Sequence, residues 1–291
     1  MEIYLPSIKL TVERLSGIKL NLDVSKDFQS CLVETQLTFN CIYKTVRRIA
    51  ISNKKADFWG HSFDKSVIPY EWRIFGSNND LCIHILFFEN EEILELLATI
   101  NYSRKLITVE IVPTNNGCQP NIDPLLHPLG SLLMIYLANY SGGFLIHASG
   151  VSDNGNGYLF TGVSGIGKST MAKLWDEDGV VIINDDRLWI QAVNGIWTMF
   201  STPMMHYSQK PLMAPLSKIF LLSQMPENSV SQISGAKGAV LLMTNCIQHL
   251  FDKKITASYV DTIFDITAKV PVYNLGFKPD RQIVEMIRWC D

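Results

Sequence analysis

Gly162-Val163-Ser164-Gly165-Ile166-Gly167-Lys168-Ser169 matches G-x-x-x-x-G-K-[ST], a spacing whose chemistry is the binding of polyphosphate. The glycines let the backbone curl so that several N–H groups point inward at phosphate oxygens, and the helix that follows turns the positive end of its dipole toward the same anions. In such a loop Lys168 reaches the β- and γ-phosphates and Ser169 offers its hydroxyl to Mg²⁺, while Ser164, Ile166 and Thr170 complete the cradle. At ordinary residue frequencies the four fixed positions coincide by chance in roughly one chain per hundred of this length. Here the match also follows the apolar run GYLF and precedes a helix expected over about Lys168 to Trp175, closed by Gly179.

A nucleoside triphosphate such as ATP brings Mg²⁺, a hard cation that takes oxygen ligands, usually with a carboxylate at a strand end facing the loop. Asp185 and Asp186 close the apolar run VVIIN and fit that place. One can hold the metal while the other accepts a proton from an attacking hydroxyl. Adjacent strand residues point to opposite faces, so both serve one site only if the chain bends there. The run itself reads as a strand buried on both faces, lying beside the phosphate-loop strand in a right-handed crossover. His147, in the strand before the loop, adds an imidazole able to position a carboxylate or a phosphate.

The elements that must position these groups follow from local signals. FLIHASGV and GYLFTG flank Asn154-Gly155, and RLWIQAV and IWTMF flank Asn194-Gly195, two hairpin signatures with residues suited to positive φ. From Pro124 to Ser152 there is no Asp, Glu, Lys or Arg. Pro128 starts a helix there and Gly142-Gly143 stops it roughly 14 residues later, short of the roughly 20 needed to span a membrane. The reading is a buried helix followed by a buried strand. Up to about Pro120 the chain alternates in short β-branched and aromatic runs, among them IKLTV, IKLNLDV and LITVEIV, with EWRIF and LCIHILFF flanking the turn GSNND. His61 and His84 in this half read as solvated or core-satisfied. The Pro- and Asn-rich segment PTNNGCQPNIDP is the linker, which divides the chain into a β-rich domain over residues 1–122 and an α/β phosphate-loop domain over 123–291. The first domain is expected to recognise a partner or substrate.

Composition sets the class. The 291 residues are 47% hydrophobic and 18% charged, which excludes disorder and suits an ordinary globular chain. Lys and Arg number 25 against 28 Asp and Glu, with no run of like charge, so nucleic acid is not an expected partner. The cysteines Cys31, Cys41, Cys82, Cys118, Cys246 and Cys290 are scattered without CxxC or zinc spacing, which suits isolated thiols in a reducing compartment. MEIYLPSIKLTVERL is no export signal, and the chain is expected in the cytoplasm, off the membrane.

The stretch LIHASGV, GYLFTGVSGIGKSTMAKLW and GVVIINDDRLWI resembles the HPr kinase/phosphorylase family, with phosphoenolpyruvate carboxykinases as more distant relatives. The order is shared: a His-containing strand paired with the phosphate-loop strand, then the loop, then an Asp-Asp pair after one helix and one strand. The resemblance is closer to HPr-kinase-like proteins of peptide-maturation pathways, including kinases of lasso-peptide precursors. To these the chain is also similar in Thr202-Pro203, in Ala214-Pro215-Leu216 before KIFLL, and in the closing VPVYNLGFKPD. It covers about Phe144 to Leu222 and that tail. The chain departs from the pattern at Thr170, where HPr kinases usually have Glu, at Met204, where an aromatic is usual, and in lacking the glycine-rich phosphorolysis signature. His206 stands near the place of a following His in the peptide-pathway group.

What the resemblance implies is an α/β fold with a mixed sheet and flanking helices, self-association, and an ATP-dependent phosphotransferase acting on a hydroxyl, in particular a serine of a peptide or small protein. In that role Lys168 neutralises the γ-phosphoryl, Ser169 and Asp186 hold Mg²⁺, Asp185 takes the hydroxyl proton, His147 assists, and Arg187 or Arg281 supplies transition-state charge. The two Asp roles are interchangeable on this evidence. The competing readings are a nucleotide-gated binding module that transfers no phosphate, and simple ATP hydrolysis.

Overall fold

The period-two alternation of the first half becomes a mixed sheet in the computed structural model, which describes residues 1–15, 17–51, 55–61, 68–76, 80–204, 209–249 and 252–290. The chain forms two compact units, one built on Met1–Leu133 and the other on Met134–Thr202 with Gln209–Asp291. The division falls inside the first helix, α1 (Leu129–Tyr140).

In the first unit the strands are β1 (Glu2–Leu5), β2 (Ile8–Arg14), β3 (Lys19–Leu20), β4 (Leu37–Thr45), β5 (Phe58–Gly60), β6 (Tyr70–Gly76), β7 (Asp80–Phe87), β8 (Ile93–Asn101), β9 (Leu106–Pro113) and β10 (Asn121–Ile122). Eight of them build one sheet in the order β1-β2-β4-β9-β8-β7-β6-β5. β4 runs parallel to β2 and β9, and the other neighbours are antiparallel. Alternation does its work along β9, where Ile107, Val109 and Ile111 are buried. EWRIF and LCIHILFF do pair as β6 and β7, while Ser77, Asn78 and Asn79 of their turn lie outside the described residues. His84 is core-satisfied, its Nε2 2.8 Å from Glu95 Oε2 on β8.

IKLNLDV departs from expectation, because only Lys19–Leu20 enter a strand, paired in parallel with β10. Asn21 and Asp23 explain the break: Asn21 Oδ1 accepts the Asp23 N–H at 3.2 Å, and Asn21 Nδ2 donates to Asp23 at 2.6 Å. These side-chain bonds offer the backbone an alternative to a strand ladder. The chain then turns into a short 3₁₀ segment, Ser25–Phe28. The end of the Pro- and Asn-rich segment holds that turn. Asp123, buried, accepts from Val24 N at 2.7 Å, Ser25 N at 2.9 Å, Leu125 N at 3.0 Å and the Ser25 hydroxyl.

The second unit contains β11 (Phe144–Asp153), β12 (Asn156–Thr161), α2 (Lys168–Asp176), β13 (Val181–Asn184), β14 (Arg187–Val193), β15 (Ile196–Ser201), β16 (Met213–Gln224), β17 (Ser229–Ile233), α3 (Ala236–Met243), β18 (Cys246–Ile247), α4 (Lys253–Lys269), β19 (Val272–Phe277) and α5 (Gln282–Trp289). Both expected hairpins form, with Asn154 at φ 51° and Gly155 at φ 82°, and Asn194 at φ 50° and Gly195 at φ 80°. α1 ends as its glycines dictate: Gly142 adopts φ 77° and the Gly143 N–H returns to the Ala138 carbonyl at 2.8 Å. Among the described residues no helix is long and apolar enough to cross a membrane.

Alternation along β12 and β16 gives the mixed sheet two apolar faces. Leu159, Ile219 and Leu221 pack toward α3 and α4, whereas Tyr158, Phe160, Phe220 and Leu222 pack toward α2 and α5. The chain is α/β with helices on both faces of this sheet.

One expectation about β13 is overturned. It does not lie beside the phosphate-loop strand β12: it pairs with β11, on the side away from β12, because β12 already has β11 on one edge and β16 on the other. Nor is it buried on both faces, since Val181 is 50% exposed.

Removing the Asp123 acceptor leaves buried donors unpaired, at about 1–3 kcal/mol for each group that water cannot reach. Asp123→Ala is expected to lower the urea midpoint of unfolding by an amount equivalent to about 2–4 kcal/mol. In the second unit His249, hydrogen-bonded through Nδ1 to the Tyr136 hydroxyl at 2.9 Å, is pushed down to about 4 by burial. Its folded pKa lies below the unfolded value of about 6.5, so the unfolded chain binds more protons between the two. Stability is therefore full above about pH 6.5 and falls as pH drops toward 4. Urea midpoints measured from pH 7 to pH 4.5 should decline, less steeply in His249→Asn.

Candidate phosphate-binding site

β11 is ten residues long and changes partners along its length. Its first half pairs with β14 on one edge and with β18 on the other. Its second half pairs with β13 and β12. Because β13 and β14 are consecutive in chain and register, they share one edge, and β18 and β12 share the other. The changeover comes at His147 on the β18/β12 edge and between His147 and Gly150 on the β14/β13 edge. On one side β12 ends with Thr161 opposite Ala148 and β18 begins with Cys246 opposite Ile146, so the chain must leave the sheet after Thr161, and it leaves as the glycine loop. On the other side the ladder breaks at Asp185-Asp186, a bend between β13 and β14. That is the bend needed for two adjacent acids to serve one place.

His147 is fixed by its backbone. Its N–H donates to the Asn245 carbonyl at 3.1 Å and its carbonyl accepts the Thr161 hydroxyl at 2.8 Å. Its ring Nε2 lies 3.5 Å from Asp186 Oδ1, and Arg187 Nη2 approaches Asp186 Oδ2 at 3.9 Å. Burial and the Lys168 ammonium hold the imidazole pKa below its ordinary value, against the pull of Asp186.

The acid bend is held by neighbours. Asn184 Oδ1 accepts the Asp186 and Arg187 N–H groups at 2.9 and 3.2 Å, an Asx-type turn. Asn184 Nδ2 donates to the Thr202 carbonyl at 3.1 Å, and the Thr202 hydroxyl donates to the Arg187 carbonyl at 2.8 Å. Among the described residues the Asp185 carboxylate has no hydrogen-bonding or ionic partner.

α2 places Lys168 by its own periodicity. Lys168, Met171, Ala172 and Trp175 fall on one helical face and are buried, while Ser169 and Thr170 are exposed at the loop mouth. The Ser149 hydroxyl, buried in β11, ties the helix start down through the Lys168 carbonyl at 2.9 Å. Lys168 Nζ turns back to the carbonyls of Gly162 and Val163 at 3.1 and 3.2 Å. Burial lowers its pKa and Asp186 opposes that shift, so the acid bend and the loop lysine share one electrostatic field. Gly167 has two reasons to be glycine: φ is +114°, and a Cβ would lie 2.5 Å from Phe277 Cζ of β19.

A cavity of about 650 Å³ opens beside the first half of the loop, where His147, Gly162, Val163 and Ser164 line it. Arg187 stands beside Asp186 at the start of β14, whereas Arg281 is elsewhere: it is paired with Asp178 past the C-terminal end of α2, the end remote from the loop. His206 lies outside the described residues. Among the described residues no group of three or more His, Cys, Asp and Glu could hold a metal. The fit is instead to a hard cation with few protein ligands, since the Ser169 hydroxyl and the Asp186 carboxylate offer oxygen only and nucleotide oxygens and water complete such a shell.

Sequence reasoning passed over Ser149, Asn184 and Asn245. Asn184 carried a signal, an Asn directly before two acids at a strand end; Ser149 and Asn245 carried none, because what they touch is distant in the chain.

No family model matches the chain, and no curated protein matches it. Among solved structures, the Hpr(Ser) kinase/phosphatase from Coxiella burnetii is similar at 13% identity over 50% of this chain and 95% of that chain, with a TM-score of 0.30. A likeness at that score carries no weight for fold or activity.

Two measurements check the site. In NMR titrations His147 should titrate below an ordinary imidazole, higher in Lys168→Ala and lower still in Asp186→Asn, following the signs of the two neighbouring charges. Gly167→Ala should destabilise the second unit by about 1–3 kcal/mol in thermal unfolding, from the positive φ and the Phe277 contact.

Proposed function

We propose that the second unit binds ATP through Gly162–Ser169 and transfers its γ-phosphoryl group to a hydroxyl, a serine of a peptide or small protein. The observation that carries this reading is the meeting of three things at the changeover of β11: a glycine loop opening a helix, an inward lysine, and a bent acid pair with a histidine beside it. A loop that only filled space would need none of these together.

In the proposed reaction the amides at the start of α2 hold the polyphosphate, and the Lys168 ammonium exchanges the Gly162 and Val163 carbonyls for β- and γ-phosphate oxygens. The acceptor oxygen forms a bond to the γ-phosphorus as the bond from that phosphorus to the bridging oxygen breaks, and ADP leaves with the bond's electrons. The acceptor proton passes to the carboxylate of Asp185, which has no competing partner among the described residues. Asp186, held toward His147, is left for Mg²⁺ together with Ser169. The cation supplies charge neutralisation to the phosphates when bound. His147, its pKa held below the ordinary imidazole value by burial and Lys168, orients Asp186, and Arg187 contributes positive charge beside it.

Incubation with γ-labelled ATP and hydroxyl-bearing peptides tests this. Label should pass to peptide and fall by about 10²–10⁴ in Asp185→Asn. Lys168→Ala should weaken binding of an ATP analogue by about 10–100-fold in a folded protein. Tight nucleotide binding with neither labelled peptide nor released phosphate would favour the silent binding module, and unchanged affinity in Lys168→Ala would remove the site altogether.

A further inference from the structure

We propose that Gln224, the last residue of β16, is a positioning residue for the phosphate loop: it holds the Ile166 carbonyl on the outside of the loop and so turns the Gly167 N–H toward the bound anion. The inference rests on the phosphate-binding part of the reading above.

Strand register brings the two residues together. β16 runs parallel to β12 with Leu221 opposite Thr161, so where β12 passes into the loop β16 continues through Leu222, Ser223 and Gln224. Across a separation of 58 residues, Gln224 Nε2 donates to the Ile166 carbonyl at 3.3 Å. The Ile166 side chain is anchored separately, packed against the buried cluster that holds Met171 and Trp175 of α2. Residue 166 is therefore held at both its side chain and its carbonyl.

The consequence lies in the peptide group that follows. A peptide is planar and trans, so its C=O and its N–H point in opposite directions. With the Ile166 carbonyl directed at Gln224, the Gly167 N–H must point away from it. That N–H has no acceptor among the described residues, and it is one of the amides that a loop of this spacing turns on phosphate. Glycine on either side of Ile166 makes a flip of this peptide easy. In the flipped state a carbonyl oxygen, with its partial negative charge, would face the anion.

The frame behind Gln224 is fixed. Gln224 pairs with Phe277 at the end of the β16–β19 ladder, and the Met225 N–H donates to the Phe277 carbonyl at 3.1 Å. Asn228 fastens the same end by accepting the Lys278 N–H at 2.8 Å and donating to Asp280 at 3.0 Å. Phe277 itself lies against Gly167, where a Cβ would come within 2.5 Å of its ring. One pair of strand residues thus supports both members of the peptide, Ile166 through Gln224 and Gly167 through Phe277. The Gln224 side chain is exposed and neutral, so removing its amide should act at the loop and leave the fold intact.

The test reads the peptide group directly. Ile166-Gly167 is the one Ile-Gly pair in the sequence, so the full chain labelled with ¹³C at isoleucine carbonyls and ¹⁵N at glycine gives a single carbonyl–amide correlation by NMR. Gln224→Met keeps the side-chain length and removes the donor. In the free variant that correlation should move, its carbonyl carbon upfield as the hydrogen bond is lost. Affinities for a non-hydrolysable ATP analogue and for inorganic triphosphate, each with Mg²⁺, should fall together by about 3–10-fold. The thermal midpoint should stay within about 2 °C of the wild type. The inference is overturned if the correlation does not move, if both affinities are kept, or if the lost affinity comes with lost stability, which would make Gln224 a structural residue only. Weakened binding of the ATP analogue with unchanged binding of inorganic triphosphate also overturns it, because Gln224 would then touch the nucleoside. A wild type that binds neither ligand ends the phosphate-binding reading, and this inference falls with it.

Discussion

The second unit depends on a change of partners along β11. A strand has two edges, and hydrogen-bond pairing along each must be continuous or be replaced. It is replaced on both edges within a few residues: β18 gives way to β12 at His147 on one, and β14 gives way to β13 between His147 and Gly150 on the other. Each replacement forces a chain segment off the sheet. One of these segments is the glycine loop and the other is the acid bend, so they come out at the same height on β11 with His147 between them.

The remaining structure keeps that arrangement from relaxing. Ser149 holds the start of α2, Thr161 and Asn245 hold the His147 backbone, and Asn184 with Thr202 hold the bend. Most of these are side-chain bonds to backbone. They satisfy polar groups that the broken ladders would otherwise leave unpaired inside the unit, where each would cost about 1–3 kcal/mol. The bonds that shape the site are thus also those that make the strand changeover tolerable. Aromatic packing supplies the rigid base: Trp175 of α2 lies 5.4 Å from Tyr158 and 6.2 Å from Phe160, and the Arg288 guanidinium covers its ring at 5.1 Å.

Electrostatics divide the site into two zones. Around Lys168 and Arg187 positive charge gathers against Asp186, in a place shielded enough to lower the pKa of Lys168 and of His147. The cavity next to it is neutral among the described residues.

Local chemistry made much of this legible from the chain alone. The hairpins at Asn154-Gly155 and Asn194-Gly195, the helix ended by Gly142-Gly143 and the buried face of α2 each depend on residues within a turn or two of one another. The phosphate loop, Lys168 and the acid pair were visible for the same reason, since their spacing is itself the signal. Strand neighbours were not. VVIIN was read beside the loop strand and lies across β11 from it, and IKLNLDV was read as a strand and is mostly a turn held by Asn21, Asp23 and the distant Asp123. Pairing is a choice among many edges with similar backbone chemistry, and only the complete set of strands settles which edge is free. The sequence by itself determined that a glycine-rich loop, a lysine and two acids exist in this protein; the tertiary structure alone decided that Lys168, His147 and Asp186 come together, because the contacts that turn Asp186 toward His147 and join Asn245 to it come from segments far apart in the chain.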